Sequence, residues 1–140
     1  MYEPIRTKSV HTMAGTADFP HRSREEELDI QLAGHLAALL AVTDELRGLE
    51  PSAELDVAAQ RLAEQVTRLR GGLAPARAAV AATGRGPLPA ALHQRAHALA
   101  GRALVVAASR ADTAGAILAA ERMDVHAAAL AAPASALTAL

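Results

Sequence analysis

The 140-residue chain has no cysteine and no tryptophan, and only one tyrosine and one phenylalanine. Without a thiol there is no disulfide, thiolate zinc site, iron–sulfur cluster or cysteine nucleophile. With 1% aromatic residues against 51% hydrophobic ones, burial has to come from Leu, Val, Ile and many alanines. Such material favours helices over strands. A large charge of either sign is missing too: the net charge of −1 gives no general attraction to phosphate backbones or anionic lipid. No window holds the roughly twenty apolar residues of a membrane span, and Met1 to Val10 lacks the apolar centre of a signal peptide. The reading is a cytoplasmic, all-α chain of single-domain length that binds neither membrane nor nucleic acid.

What is present is helical periodicity. Leu55, Ala59, Leu62, Val66, Leu69, Leu73, Ala76 and Val80 alternate at four- and three-residue spacing, which predicts a helix over 52–83. Pro75 follows Gly71 and Gly72 inside that span, so a kink is expected near Gly71–Pro75 and a stop at Gly84. The first helix is expected over 24–49, because Ser23 and Glu26 form a capping box ahead of Leu28, Leu32, Leu36, Leu39, Thr43 and Leu46. The third is expected over 88–124, with Pro89 in its first turn and a seam of Leu88, Leu92, Ala96, Leu99, Ala103 and Val106. That seam continues through Arg110, Thr113, Ile117 and Ala120, where two positions lose their apolar character. Arg110, if enclosed, calls for a carboxylate from another helix or another copy of the chain.

The expected architecture is an elongated up-down-up three-helix bundle over 23–126. An N-terminal arm over 1–22, flexible or docked through Tyr2, Ile5, Val10, Met13 and Phe19, precedes it. An Ala-rich extension over 127–140 follows. Three such rods leave part of the Ala and Leu face of the third helix to be covered by a second copy, which predicts a homodimer.

Chemistry-bearing groups are sparse. His93 and His97 stand four apart on one helical face, and His35 lies among leucines of the first helix. A third imidazole would give a divalent transition metal such as zinc enough ligands. His35 and the stretch His93-Gln94-Arg95-Ala96-His97 resemble the DinB-like metal-binding bundles in spacing, and that resemblance implies metal binding by His35, His93 and His97. Gln94 stands where a zinc protease would need a glutamate, so hydrolysis is not implied. The plainer reading makes these histidines boundary residues.

Two acidic clusters, Glu25, Glu26 and Asp29, and Glu121 with Asp124, would suit Mg²⁺ as in all-α nucleotide pyrophosphohydrolases. An up-down-up bundle separates them, and they also serve as helix-dipole and solvating charge. Arg61, Arg68, Arg95 and Arg102 recur every seven residues without aromatics to stack bases. Gly84-Arg85-Gly86-Pro87 is helix punctuation rather than a phosphate loop. The expectation is therefore an interaction or scaffolding protein that self-associates, with no catalytic residues assigned. A histidine metal-binding bundle is the alternative.

Overall fold

The computed structural model describes residues 22–77 and 88–132, and these are all-helical, with no strand among them. Four helices replace the expected three: α1 (Arg24–Leu49), α2 (Ala53–Leu69), α3 (Pro89–Arg110) and α4 (Thr113–Ala131). The arm over 1–21, the kink-to-stop region 78–87 and the end of the Ala-rich extension, 133–140, lie outside the described residues.

α1 begins as its sequence requires. The Glu26 amide donates to Ser23 Oγ at 3.0 Å and the Ser23 amide to Glu26 Oε1 at 2.7 Å, a reciprocal cap. Leu32, Leu36, Leu39, Leu40 and Leu46 are fully or almost fully buried, and Thr43 joins them by returning its hydroxyl to the Leu39 carbonyl. α2 is capped by Ser52, whose Oγ accepts the Leu55 amide, and buries Leu55, Ala59, Leu62 and Val66.

The expected continuation of α2 to residue 83 fails at a pair of glycines. Gly71 and Gly72 both take positive φ, 67° and 100°. The Gly72 amide reaches the Thr67 carbonyl at 2.8 Å, while the Gly71 amide turns to the Arg68 carbonyl. This is the Schellman stop, which two unbranched residues adopt without steric cost. Pro75 therefore lies in extended chain rather than in a kinked helix, and Leu73 is exposed.

The expected third helix is cut in two at Ala111, whose φ of 59° and ψ of 36° are left-handed. Asp112 then caps α4, its Oδ1 accepting the Gly115 amide at 3.0 Å while Arg68 Nη2 donates to Oδ2 at 2.8 Å. The interruption resets the helical phase. Ile117 and Thr113, expected in the seam, are exposed, and Gly115, Leu118, Ala119, Arg122 and His126 are buried instead.

Side-chain pairs fix the directions. Arg47 near the end of α1 meets Asp56 at the start of α2 at 2.9 Å. His93 early in α3 meets Glu50, and Arg110 at the end of α3 meets Asp29 early in α1 at 3.0 Å. Both α2 and α3 thus run against α1, and α4 returns beside it. The order is up-down-down-up, with a crossover between α2 and α3. This corrects the expected up-down-up path and the short antiparallel return at 85–87. Residues 73–77 lead towards α1's far end, where Arg77 clasps Asp44 with two hydrogen bonds of 3.0 and 2.7 Å.

The core is asymmetric. α1 packs on α2 and on α3, and α3 and α4 pack most extensively, because Ala96, Ala100, Ala103 and Ala107 on α3 and Ala119 on α4 are small enough for close approach. α2 and α4 scarcely meet. No helix among the described residues is long and apolar enough to cross a membrane.

Candidate functional site

Where α1 ends and α2 and α3 begin, the core changes from aliphatic to polar. His126 and Arg122, one turn apart on α4, are 0% and 3% exposed. Their partners come from the other three helix ends: His93 from α3, Glu54 from the first turn of α2 and Glu50 from the C-terminal cap of α1. Arg122 Nη1 donates to Glu54, and Nη2 lies 3.2 Å from His126 Nε2. His126 Nδ1 lies 2.9 Å from His93 Nδ1, and His93 Nε2 lies 3.2 Å from Glu50 Oε1.

These contacts have one self-consistent set of proton positions when both rings are neutral. Arg122 has only N–H groups to offer, so His126 Nε2 accepts and its single proton sits on Nδ1. His93 Nδ1 must then accept, which leaves its proton on Nε2 for the Glu50 carboxylate. The chain Arg122 to His126 to His93 to Glu50 donates in one direction throughout. It uses every ring nitrogen of both histidines. His126 is held well below the ordinary imidazole value of 6.5, down to about 3, by burial first, then by the Arg122 guanidinium, and then by repulsion from His93 and His97 whenever those rings carry a second proton. Arg122 Nε, buried without a partner, is the layer's one unsatisfied donor.

The histidines singled out in the sequence are divided by the fold. His93 belongs to the polar layer, and His97 lies one turn further along α3, near enough that a second proton on its ring would repel one on His126. His35 stands apart. It is fifteen residues before Glu50 on α1, roughly 20 Å along the axis from the end that His93 faces. Among the described residues no group of three or more His, Asp or Glu side chains is placed to hold a metal ion. The acidic clusters do not converge either: Asp29 binds Arg110 and Glu121 faces Arg61 at 3.6 Å. Arg61 and Arg68 of the seven-residue series are paired with acids. Arg110 finds its carboxylate within its own chain, half-exposed.

Sequence reasoning missed His126 and Arg122. Both fall on the seam of α4 once its phase is counted from the Asp112 cap, continuing Gly115, Leu118 and Ala119 at helical spacing. The signal lay in the chain but was hidden by reading residues 88–124 as one helix.

Two further features are open to solvent. A cleft of about 700 Å³ between α2 and the 73–77 segment is bordered by Arg47, Gln60, Thr67, Pro75 and Arg77. At its edge Asp44 is buried, which alone would raise its pKa, yet hydrogen bonds from Arg77 and then Arg47 outweigh that and lower it. Along the opposite side, a groove of about 340 Å³ between α2 and α4 has Ala58 and Leu118 at its base and Val57, Arg61, Glu121 and Val125 along its sides. Comparison with protein-family models, curated proteins and solved structures finds no match to this chain.

Proposed function

We propose that the chain is a helical interaction module that self-associates through the side of the bundle formed by α2 and α4. The observation that carries this reading is the poor closure of that side: three neighbouring helix pairs are closely packed, whereas α2 and α4 meet thinly, chiefly through the pairs Arg61–Glu121, Arg68–Asp112 and Arg122–Glu54. Val57 on α2 is 49% exposed and Ile117 on α4 is 55% exposed, above the buried Ala58 and Leu118. Exposed aliphatic residues grouped along a groove favour a partner in a way that scattered ones do not.

A second copy suits this face by charge. α2 contributes Arg61 and Glu64 and α4 contributes Glu121 and Asp124, so both signs border the same apolar strip. A two-fold axis sets each copy's α2 against its partner's α4, and Arg61 then faces an acidic helix. A polyanion would meet Glu54, Glu64, Glu121 and Asp124, which disfavours nucleic acid. Scaffolding by paired bundles needs no further group from the chain.

Sedimentation equilibrium from micromolar to millimolar protein tests the reading. A concentration-dependent dimer is expected, lost in Val57→Glu and Ile117→Glu while helical circular dichroism is kept. Val105→Glu, on an exposed α3 position away from the groove, should leave it intact. A monomer at every concentration, or a dimer indifferent to both groove variants, would overturn the proposal.

A further inference from the structure

We propose that the C-terminal half of α4, residues 120–131, is an acid-released arm, whose buried attachment to the bundle is the Arg122–His126 latch. The inference goes beyond self-association and does not depend on it.

The two halves of α4 are attached differently. The first half buries Gly115, Leu118 and Ala119 against the leucine core, closely enough that a Cβ at Gly115 would lie 3.2 Å from Leu32 Cδ2. Beyond Ala119 the only buried residues among those described are Arg122 and His126. Met123 rests on the core beside Gly101. Val125 and Leu130 are only partly covered, and on the α2 side there is little packing beyond the ion pairs of Glu121 and Arg122.

The latch is closed by one arrangement of protons and by no other with an extra one. The groups that face His126 are Glu50 from α1, Glu54 from α2 through Arg122, His93 and His97 from α3, and Arg122 on its own helix. A second proton on His126 would set its Nε2–H against the guanidinium 3.2 Å away. A second proton on His93 would set two N–H groups against each other across 2.9 Å, unless His126 moved its own proton to Nε2 and met the same guanidinium. Either ring can be doubly protonated only by breaking the chain of hydrogen bonds. Glu50 and Glu54 cannot relieve this, since they accept from His93 and Arg122 and touch neither His126 nitrogen. Burial and the surrounding positive charge, which hold His126 neutral far into the acid range, support the same conclusion. Once the arm is out in water the imidazole regains its ordinary proton affinity, so acid draws the equilibrium towards release.

Amide hydrogen exchange on the full chain, resolved by residue and corrected for intrinsic rates, tests this with EDTA present. Between pH 7.5 and 5.0, protection over 120–131 should fall about thirty-fold, the factor an ordinary imidazole gives over that interval. Protection over Leu32–Leu46 requires global unfolding, which also frees His126; it should fall by a similar factor yet stay well above that of 120–131 at both pH values. His126→Leu should remove the pH dependence of residues 120–131. Should that variant not fold, ¹⁵N spectra of the unaltered protein at pH 7 decide: neutral His126 protonated at Nδ1 supports the latch, and an imidazolium or an Nε2–H tautomer refutes it. Equal protection over 120–131 and Leu32–Leu46 at pH 5.0, meaning that the arm opens only with the whole bundle, also refutes it. So does a dependence of the protection on EDTA, which would mean that a metal ion pins the two rings.

Discussion

Replacing the buried guanidinium and imidazole of α4 together should do less harm than replacing the imidazole alone. In His126→Leu, Arg122 Nη2 and His93 Nδ1 both lose their partner. A buried polar group left unpaired costs about 1–3 kcal/mol. The His93 side chain retains some access to water, so the expected destabilisation is about 2–4 kcal/mol before the added leucine surface offsets part of it. Arg122→Met removes a guanidinium that is 3% exposed and carries an orphaned Nε, and it leaves behind Glu54, which is half-exposed and can be solvated. Its one serious cost is the unpaired His126 Nε2, again about 1–3 kcal/mol. The double variant has neither orphan on α4, and buried polar pairs replaced by apolar residues of similar volume are often neutral or stabilising. Its destabilisation should fall short of the summed single values by about 2–6 kcal/mol, one orphan of about 1–3 kcal/mol from each single variant. Urea unfolding followed by circular dichroism at pH 7 closes the cycle. Additivity within about 0.5 kcal/mol, the spread found for independent sites, would show that the two side chains do not act as a unit and would refute the tautomer assignment built on their contact.

Three other outcomes follow from the same geometry. Because His126 is neutral when folded, with a pKa of about 3 against 6.5, the unfolded chain binds more protons below pH 6.5; stability is full above that value and falls by about 2 kcal/mol by pH 5, measured as a shift in urea midpoint. Asp44 titrates with the opposite consequence for its charge: its lowered pKa means that its ion pairs contribute above about pH 4 and are lost below it. Asp44→Asn should therefore cost about 1 kcal/mol at pH 7, reduced by the partial exposure of both arginines, and little at pH 3. Ala111→Gly should raise stability by about 0.5–1 kcal/mol, since a left-handed alanine costs roughly 1–2 kcal/mol and the added freedom of the unfolded chain offsets part of the gain; a loss in thermal unfolding would contradict this.

How much of the fold was legible depended on whether local and tertiary signals agreed. At Ser23 and Glu26 the capping pair and the leucine face that follows are both local, and α1 begins and packs as the sequence predicts. The glycine pair at 71–72 was legible as a disturbance but not as a stop. The apolar stripe stays in phase through Leu73 and Ala76, and only the positive φ angles show that phase alone does not extend a helix. The break at Ala111 had no local signal, because alanine is the strongest helix former and gives no warning of a left-handed residue. What fixes it there is tertiary: Asp112 receives Arg68 from α2 and caps α4 with its other oxygen. Of the candidate site, His93 was found for its spacing to His97, and its true neighbour, His126, sat beyond the misread break.

The placement of the polar layer has a physical logic of its own. Three helix ends meet the interior of α4 there, and what they contribute, Glu50, Glu54 and His93, lies within a turn or so of a terminus. Near a terminus a carboxylate can keep one side in water while accepting from a buried donor, as Glu54 does for Arg122. The same pair in the middle of α1 would have been enclosed by Leu36, Leu39 and Leu40 and would have carried the full desolvation cost of both charges. An aliphatic seam in the first half and a buried polar one in the second thus divide α4 into a fixed part and a part whose attachment depends on protons. A leucine at position 126 would continue the seam and remove that division, which is why the opening of residues 120–131 ahead of the rest of the bundle, rather than overall stability alone, reports what this histidine does.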